Sequence, residues 1–496
     1  MKKLLMILFV LLLALPAMAE EVLTNGDYEY VILEDGTARI TKYCGITANV
    51  VIPDELRGVP VTVIGEKAFQ TNDVVKTLVI PEGVTTLEDL AFNSAKRLNQ
   101  VTLPNSITTI GVNPFRNCES LQSFLVSPAH PVLATIDGVL FRKSDKALLS
   151  YPEGLPATKY SIPNGIRVIA ESAFDANDKL TTIIIPRSVT TIDALAFYMN
   201  KQLTSITLPG SLVSIGDKAF KECTNLTRVT FSDGLISIGE EAFKNCHALQ
   251  SLILPSTLQS VGANAFYNCK ALDHLHLPAS LTNINGTDLY GCVSLRTISL
   301  DPANTTLELY NSELYNKEDK RLIFSINGVT DVTVQPGTLI IDDYAFYSHR
   351  NLRSISLPEG LCKIGRAALY DCVNLTAVEL PSTCTDIGEF VFRGCPLTEL
   401  TFPEGMTVLR GNTLRFCKQL TQLTLPSTLA TIEAWALGDT GLETLYLPAS
   451  LVSIDRNALN GDCCYTVEPG SYAEEFCRQY KFTYAYPAGD LDWLFE

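Results

Sequence analysis

The chain has 496 residues, of which 46% are hydrophobic and 19% are charged. This composition excludes a disordered, collagen-like or coiled-coil chain, since each of those classes requires a very different residue usage. With 54 acidic against 38 basic residues the formal charge is −16, which disfavours nucleic acid and anionic membrane surfaces as partners because both attract basic proteins.

Residues 1–19 have the layout of a secretory signal peptide. Two lysines precede an unbroken apolar run from Leu4 to Leu15, and Ala17-Met18-Ala19 forms a small-residue cleavage site before Glu20. The apolar run is shorter than the ~20 residues that a membrane-spanning helix requires. We therefore predict cleavage near Ala19 and a mature chain that is secreted or displayed at the cell surface, without a transmembrane segment.

Most of the remaining chain repeats with a period of about 23 residues. Three markers keep phase: an apolar residue followed by proline, then an Ala-Phe pair, then a cysteine at the third place after the phenylalanine. The pair recurs, for example, at Ala196-Phe197, Ala219-Phe220 and Ala242-Phe243. The cysteine stands at Cys118, Cys223, Cys246, Cys269, Cys292, Cys372, Cys395 and Cys417. Self-similarity at such a period is typical of solenoid proteins.

One unit, residues 203–223, shows what each position does. Leu203, Ile206 and Leu208 have the spacing of a short strand in a leucine-rich coil. The proline that follows ends the strand, because proline has no N–H to donate to a ladder. A second extended stretch comes next, and the Ala-Phe pair and the cysteine fill the layer between the two stretches. A single coil buries too little apolar surface to offset the entropy of ordering it, so we expect the coils to stack.

The complete unit, L-x-x-I-x-L-P-x-x-L-x-x-I-G-x-x-A-F-x-x-C, resembles the BspA-like (treponemal-type) leucine-rich repeat of bacterial surface and secreted proteins. Residues 28–69 are similar to the N-terminal cap of that family. The resemblance implies a leucine-rich-repeat solenoid that is mainly β, with a parallel sheet on the concave face, short second strands and turns on the convex side, and a cap at each end. It also implies a role in surface adhesion, with host matrix proteins or other cells as the partner class.

The predicted organisation follows the repeats and their interruptions. It comprises a signal peptide at 1–19, an N-terminal cap and first repeat at 20–69, repeats at 70–126, 161–300 and 335–462, hairpin insertions at 127–160 and 301–334, and a C-terminal cap and tail at 463–496.

The two insertions share one pattern. Each contains two short apolar stretches around a polar turn, which is a β-hairpin signature. The two match position by position, from Asp137 aligned with Asn311 to Leu149 aligned with Ile323. Protruding hairpins could widen a binding face, or they could be spacers that adjust curvature; both interpretations stay open at this point.

The C-terminal cap is predicted from its local sequence. Ser471 and Glu474 have the spacing of a capping box, so we expect a short helix from there to about Tyr480. Residues 482–486 alternate like a final strand, which would cover a sheet edge that could otherwise pair with another chain.

The cysteines are interpreted as packing residues. Eight of the fourteen occupy one repeat position, where stacked coils would hold the side chains parallel, whereas a disulfide needs them to converge. A buried free cysteine behaves as a small hydrophobic side chain. The better candidates for a bond are Cys463 or Cys464 with Cys477, and Cys362 with Cys384.

Catalytic and metal-binding motifs are missing from the sequence. It contains no nucleotide-binding glycine loop, no zinc-protease helix and no nucleophile elbow. His274 and His276 are expected to face solvent from one strand, but the aligned positions on neighbouring coils supply no third strong ligand. We therefore predict no catalytic residues, no metal, no cofactor and no enzymatic activity.

What remains is the outward side of the strands. The candidate binding residues on this concave face are Ser205, Thr207, Arg228, Thr230, Ser251, Ile253, His274, His276, Thr297 and Ser299. The equivalent positions later in the chain include Ala377, Glu379, Glu399 and Tyr446. A long, rigid, mostly polar face is what repeat proteins use to bind extended partners, although threonine is also simply a good strand former.

The predicted function is that of a secreted or cell-surface interaction protein. It would bind host or neighbouring-cell components through the concave face and the hairpin insertions, with an extracellular protein or glycan as ligand. The alternative is a glycan-binding or structural cell-envelope protein, which aromatic platforms on the face would support; Tyr446 is the one aromatic residue among the outward positions considered.

Overall fold

A computed structural model describes residues 21–487; the predicted signal peptide and its cleavage site lie outside the described residues. The chain divides into two compact units. The first comprises the described residues up to Lys143 together with Pro152–Leu155, and the second comprises Ser144–Tyr151 and the chain from Pro156 onward. The division falls inside the predicted insertion 127–160.

The first unit consists of short strands in two sheets and a hairpin. Its strands are β1 Leu23–Asn25, β2 Tyr28–Ile32, β3 Ala38–Tyr43, β4 Asn49–Val51, β5 Glu55–Leu56, β6 Val59–Ile64, β7 Thr77–Val79, β8 Thr86–Leu87, β9 Gln100–Leu103, β10 Thr109–Ile110, β11 Ser123–Val126, β12 Leu133–Ile136 and β13 Val139–Arg142. One sheet has the order β1-β2-β3-β6-β8-β10, and β4, β7, β9 and β11 form a parallel sheet. The antiparallel strands β1–β3 cap the first coil, as the N-terminal cap requires.

The second unit continues the same coil design over a longer stretch. Its elements are β14 Ala147–Ser150, β15 Lys159–Ser161, β16 Val168–Ile169, β17 Thr182–Ile184, β18 Thr191–Ile192, β19 Ser205–Thr207, β20 Ser214–Ile215, β21 Arg228–Thr230, β22 Ser237–Ile238, β23 Ser251–Ile253, β24 Ser260–Val261, β25 His274–Leu277, a 3-10 turn Gly286–Leu289, β26 Thr297–Leu300, β27 Leu307–Tyr310, β28 Glu313–Asn316, β29 Arg321–Ser325, β30 Asp331–Thr333, β31 Ile340–Ile341, β32 Ser354–Ser356, β33 Lys363–Ile364, β34 Asp386–Ile387, β35 Glu399–Thr401, β36 Val408–Leu409, β37 Gln422–Thr424, β38 Thr431–Ile432, β39 Thr444–Leu447, β40 Ser453–Ile454, β41 Cys464–Val467, α1 Tyr472–Tyr480 and β42 Tyr484–Ala485.

Most coils of the second unit give one strand to a face sheet and a shorter strand to a second sheet. The face sheet has the order β15-β17-β19-β21-β23-β25-β26, and a second sheet of mostly two-residue strands contains β14-β16-β18-β20-β22-β24. Most strand partners stand one repeat period apart in the chain, as Ser205 and Arg228 do. The predicted arrangement of face strands, short second strands and terminal caps is therefore confirmed.

The layer between the sheets is a stack of identical side chains. Ring centroids of Phe174, Phe197, Phe220 and Phe243 follow one another at 5.1, 4.9 and 5.1 Å, which is close to the spacing of hydrogen-bonded strands. All four rings are buried. The repeat therefore places each phenylalanine on its counterpart in the next coil, and this stacking holds neighbouring coils in register.

The turn around each Ala-Phe pair needs two residues with left-handed backbone. They stand directly before the alanine and at the second place after the phenylalanine, for example Lys218 and Glu222, with φ of 58° and 63°. Asparagine and glycine adopt this conformation most readily, yet Leu195 and Trp435 adopt it here at φ of 56° and 60°. Each such turn costs conformational energy, which the packing of the stacked coils offsets.

The second insertion contains more than the predicted hairpin. Strands β28 and β29 pair antiparallel around the polar turn, but a further strand, β27, pairs antiparallel with β28 on its other side. Strand β29 then joins the second sheet through a parallel pairing with β31. The hairpin pattern overlooked β27 because Leu307–Tyr310 lies ahead of the polar turn.

Both insertions begin with the same buried anchor. In the first unit His130 Nε2 lies 2.9 Å from Pro104 O, and its Nδ1 accepts hydrogen bonds from Val132 N and Leu133 N. Because Nδ1 accepts twice, Nε2 carries the proton and donates it to Pro104 O. The aligned residue of the second insertion, Asn304, makes the same set of bonds with its carboxamide, to Pro278 O at 2.9 Å and from Thr306 N and Leu307 N.

The coil stack continues past the second insertion. The rings of Tyr290 and Tyr347 are 4.4 Å apart, although the whole of the insertion 301–334 separates these two residues along the chain, in addition to one coil. The layer of turn side chains is therefore continuous past the insertion, while its strands β29 and β30 pair in parallel with β31 and β32 of the following coils.

The C-terminal cap forms as its sequence predicts. Ser471 is the N-cap of α1, and its hydroxyl accepts a hydrogen bond from Glu474 N. The Glu474 carboxylate turns back to accept from Gly470 N at 2.7 Å, one residue earlier than a standard capping box. Strand β42 then pairs with β41 and covers the edge of the last sheet.

Candidate binding surface

The predicted binding residues lie together on the face sheet of the second unit. Strand pairing aligns Ser205, Arg228, Ser251, His274 and Thr297 in one column. A second column contains Thr207, Thr230, Ile253, His276 and Ser299. All ten side chains are exposed or half-buried, whereas the alternating residues between the columns, such as Ile206, Leu252 and Leu275, are buried. The alternating pattern thus places the ten residues on one surface, as expected for strands.

Two neighbouring concavities indent this surface. The first has a volume of about 770 Å³ and is lined by residues of β17 and β19 and of the turns that follow them, among them Thr182, Ile184, Arg187, Ser205 and Thr207. The second has a volume of about 480 Å³ and is lined by residues of β21 and β23, among them Arg228, Thr230, Ser251 and Ile253. Six of the ten predicted residues line these concavities; His274, His276, Thr297 and Ser299 lie beside them on the same sheet.

The concavities combine apolar, hydroxyl and basic groups. Ile184 and Ile253 are 58% and 64% exposed, a high value for isoleucine on a soluble surface. Arg187 and Arg228 form no ion pair within residues 21–487. The surface therefore offers aliphatic contact area, hydroxyl groups and free guanidinium groups together.

A ladder of threonines fixes the edge of the face. The hydroxyls of Thr181, Thr204 and Thr227 each donate to the carbonyl oxygen of the threonine one coil earlier, at 3.1, 3.2 and 2.9 Å. These hydroxyl groups therefore already donate hydrogen bonds within the stack. The ladder holds the strands in place, and the available hydroxyls are those of the two columns.

The two face histidines do not form a metal site. His276 Nδ1 lies 2.9 Å from Ser299 Oγ on the neighbouring strand, and His274 lies in the other column. Across residues 21–487, no group of three or more His, Cys, Asp or Glu side chains is placed to hold a metal ion.

Sequence reasoning missed one coil of the surface. Thr182 and Ile184 occupy the same repeat positions as Ser205 and Thr207, one unit earlier in the chain, and they line the larger concavity together with Arg187. The signal that would have found them is the repeat period itself, extended backward by one unit.

The later part of the predicted face is less regular. Ala377 and Glu379 lie outside any strand of the described chain, so the parallel ladder is interrupted at that coil. Glu399 and Tyr446, by contrast, lie on β35 and β39 with exposed side chains.

The cysteines occupy the interior, as the sequence indicates. All fourteen are free thiols, including the candidate pairs near the C-terminal cap and at Cys362 and Cys384. The thiol of Cys223 donates to Phe197 O at 3.1 Å, and that of Cys246 donates to Phe220 O at 3.1 Å. Burial raises the pKa of the repeat-position thiols of Cys118, Cys223 and Cys292, that of Cys292 to about 12, so these thiols stay protonated at neutral pH.

The repeat pattern and the strand geometry together specify a family. The model of the BspA type leucine rich repeat region matches residues 41–155, 150–248, 190–319 and 339–466, which is most of the chain. The chain belongs to the BspA-type leucine-rich repeat family. It is thus a leucine-rich-repeat solenoid, a design whose members serve as scaffolds for protein interaction.

Several solved protein structures are similar to the chain. A leucine-rich cell surface protein from Faecalibacterium prausnitzii is 23% identical, with 92% of this chain and 97% of that one covered and a TM-score of 0.43. The pneumococcal vaccine antigen PcpA is 17% identical, with coverage of 94% and 99% and a TM-score of 0.46. A leucine-rich repeat protein from Bacteroides ovatus is 20% identical, with coverage of 94% and 99% and a TM-score of 0.40. No curated protein matches the chain.

Among the described residues, none of the helices combines the length and apolar character needed to cross a bilayer. The short α1 is the single α-helix in this part of the chain.

Proposed function

We propose that the chain is an exported or cell-surface adhesion protein that binds an extended protein segment across the face sheet of its second unit. The observation that carries the proposal is the pair of adjoining concavities along β17–β23, lined by six of the residues that the repeat pattern selects. Rigid parallel strands present this surface without a large loss of entropy on binding, since the threonine ladder already fixes them.

The chemistry of the concavities favours a polypeptide over a neutral glycan. The apolar surface of Ile184 and Ile253 stays in contact with water unless a partner covers it. Neutral sugars are bound chiefly through aromatic faces, and the two face columns contain aliphatic and polar residues instead. Arg187 and Arg228 add sites for carboxylates of the partner, because guanidinium and carboxylate groups form paired hydrogen bonds.

Export and surface display belong to the same proposal. The sequence pattern of residues 1–19 supports them, and a family of packing repeats supports binding without catalysis. A partner among host matrix proteins or neighbouring cells follows from the family resemblance. A glycan-binding or envelope-structural role is the competing outcome.

A solid-phase binding screen tests the proposal. The full mature chain would be applied to immobilised matrix proteins and to mucin-type glycans, at low and high salt. The double variant Ile184→Asp/Ile253→Asp removes apolar contact on the face and should weaken protein binding at least tenfold. Val213→Asp is the matched control, because Val213 is 48% exposed but lines neither concavity.

The outcomes separate the candidate functions. Saturable binding to a matrix protein that falls with the face variant and not with the control supports the adhesion proposal. Binding to glycans alone favours the second candidate. Protein binding that both variants leave unchanged would move the site away from the face sheet.

A further inference from the structure

A small cavity in the first unit has a chemistry unlike that of the face concavities. It has a volume of about 390 Å³, at the lower end of the range for small-ligand sites. It is lined by Asn49, Lys76, Thr77, Arg97, Asn99 and Ser120. Two cations, two carboxamides and two hydroxyls make up this lining, with no acidic and no apolar side chain.

The two cations have no partner within the described chain. Neither Lys76 nor Arg97 forms an ion pair or a side-chain hydrogen bond in residues 21–487, and both are exposed. The acidic residue next to Ser120 in the chain, Glu119, is already paired with Lys96 at 2.8 Å. In a chain with a formal charge of −16, this is a local positive site that the protein itself does not neutralise.

The repeat gives no packing reason for these charges. The coil position of Lys76 holds a neutral threonine in some coils of the second unit, such as Thr181 and Thr204, and an arginine in another, Arg296. Coils of both kinds stack, so stacking does not require a cation there. Lys76 and Arg97 are thus surface charges that packing does not explain, and both line one cavity.

The neutral groups of the cavity present hydrogen-bond donors. Thr77 Oγ1 donates to Asn49 Oδ1 at 2.8 Å, which orients the carboxamide so that its N–H groups remain available. Asn99 N donates to Lys76 O at 2.7 Å, and this bond fixes the two coils that carry the cations. The rim is thus preorganised for a ligand with several oxygen atoms.

We propose that this cavity binds one acidic sugar residue of a glycan. Arg97 and Lys76 hold its acid group, a carboxylate or a sulfate ester, and Asn49, Asn99 and Ser120 bind its hydroxyls. A guanidinium group and an ammonium group are the side chains that bind such oxyanions best. A lipid or an aliphatic peptide would bury no apolar side chain here. The site is independent of the face sheet, which lies in the other unit.

The test measures binding of defined sugars to the full chain by titration calorimetry and saturation-transfer NMR. The probes are 3′-sialyllactose for a carboxylate, 3′-sulfolactose for a sulfate ester, lactose as the neutral counterpart, and inorganic sulfate. At least one acidic sugar should bind with a Kd of about 1 mM, at least tenfold more tightly than lactose, and more weakly as salt is added.

Matched variants locate the binding. Lys76→Gln/Arg97→Gln should reduce the affinity for the acidic sugar at least tenfold. The face-sheet variant Lys159→Gln/Lys201→Gln removes two exposed cations of the second unit, one of them on strand β15, and should leave the affinity within a factor of two. Thermal unfolding of both double variants should match that of the unchanged chain, since none of these side chains forms an ion pair within residues 21–487.

Four results would overturn the proposal: no acidic sugar binds, lactose binds equally well, inorganic sulfate binds as tightly as the acidic sugars, or the cavity variant retains full affinity. Loss of sugar binding in the face-sheet variant as well would place the site elsewhere. None of these results bears on protein binding at the face sheet, so the two proposals can fail separately.

Discussion

The buried position at the third place after each repeat phenylalanine shows how one side chain serves two purposes. In most coils of the second unit it is a cysteine or an asparagine, as at Cys223, Cys246 and Asn200, and it donates a hydrogen bond to a carbonyl of the preceding coil. His349 occupies the same position and lies 2.6 Å from Ile326 O through Nε2. The position therefore accepts buried side chains of different size that carry a hydrogen-bond donor.

Replacing this donor should cost stability. In Cys246→Ala the carbonyl of Phe220 loses one of its two donors, since Cys223 N still donates to it at 3.2 Å, and a small cavity remains; we expect a loss of about 1–2 kcal/mol. Urea unfolding monitored by circular dichroism measures the change in midpoint. Cys362→Ala, at an exposed thiol, is the control and should leave the midpoint unchanged. Equal midpoints for both variants would contradict the donor role.

A second residue-scale prediction concerns Glu313 on β28. Its side chain is buried, its Oε2 has no hydrogen-bond partner, and the opposite residue, Ser325, is also buried with an unpartnered hydroxyl. The aligned residue of the first insertion is the buried Val139. Burial raises the pKa of Glu313 to about 7.

The raised pKa of Glu313 makes stability depend on pH. The folded state binds the proton more tightly than the unfolded state, so this group favours folding below about pH 4.5 and loses that contribution as the pH rises through about 7. Glu313→Val should therefore stabilise the chain at pH 8 by about 2 kcal/mol and by less at pH 5. Unfolding midpoints at the two pH values test this, with Glu313→Gln as a variant that keeps the polar group and loses the pH dependence. A gain that is the same at both pH values would assign the effect to packing alone.

At the scale of elements, the two insertions show that different residues can build one anchor. His130 and Asn304 each accept two backbone N–H groups and donate to the carbonyl of a proline. The imidazole can do this only when it is neutral. Burial lowers the pKa of His130 below its ordinary value and Lys143 adds to the shift, while the hydrogen bond to Pro104 O and, less strongly, Glu82 oppose it.

This anchor predicts acid sensitivity in one insertion only. Because the folded state holds His130 neutral, the unfolded state takes up the proton first as the pH falls below about 6.5, and folding is progressively disfavoured. His130→Asn should reduce the loss of melting temperature between pH 7.5 and pH 5, and Asn304→His should increase it. Differential scanning calorimetry of the three chains at pH 7.5 and pH 5 measures these melting temperatures. If Asn304→His behaves like the unchanged chain at both pH values, the anchor does not couple to pH.

At the scale of the whole molecule, the repeat period determines what sequence alone can predict. The period identifies the coil, its inward and outward residues and its caps, because stacking repeats one local solution many times. Where the chain departs from the period, the period predicts neither the strands nor the contacts. The strand Leu307–Tyr310 and the buried Glu313 are such departures, and each depends on contacts between residues that no repeat position defines. The two columns of face residues could be predicted as a surface, whereas the concavities between them follow from the sizes of neighbouring side chains in three dimensions.

The contact between Tyr290 and Tyr347 has a consequence for how such chains change over generations. Since the turns on either side of the insertion 301–334 already touch, a lineage could lengthen or shorten the antiparallel segment from β27 to β28 while β29 and β30 kept their places beside β31 and β32. This antiparallel segment can therefore vary in length while the repeats around it stay unchanged. New binding specificities can then arise by insertions and deletions in this one segment, and the repeats need no compensating substitutions.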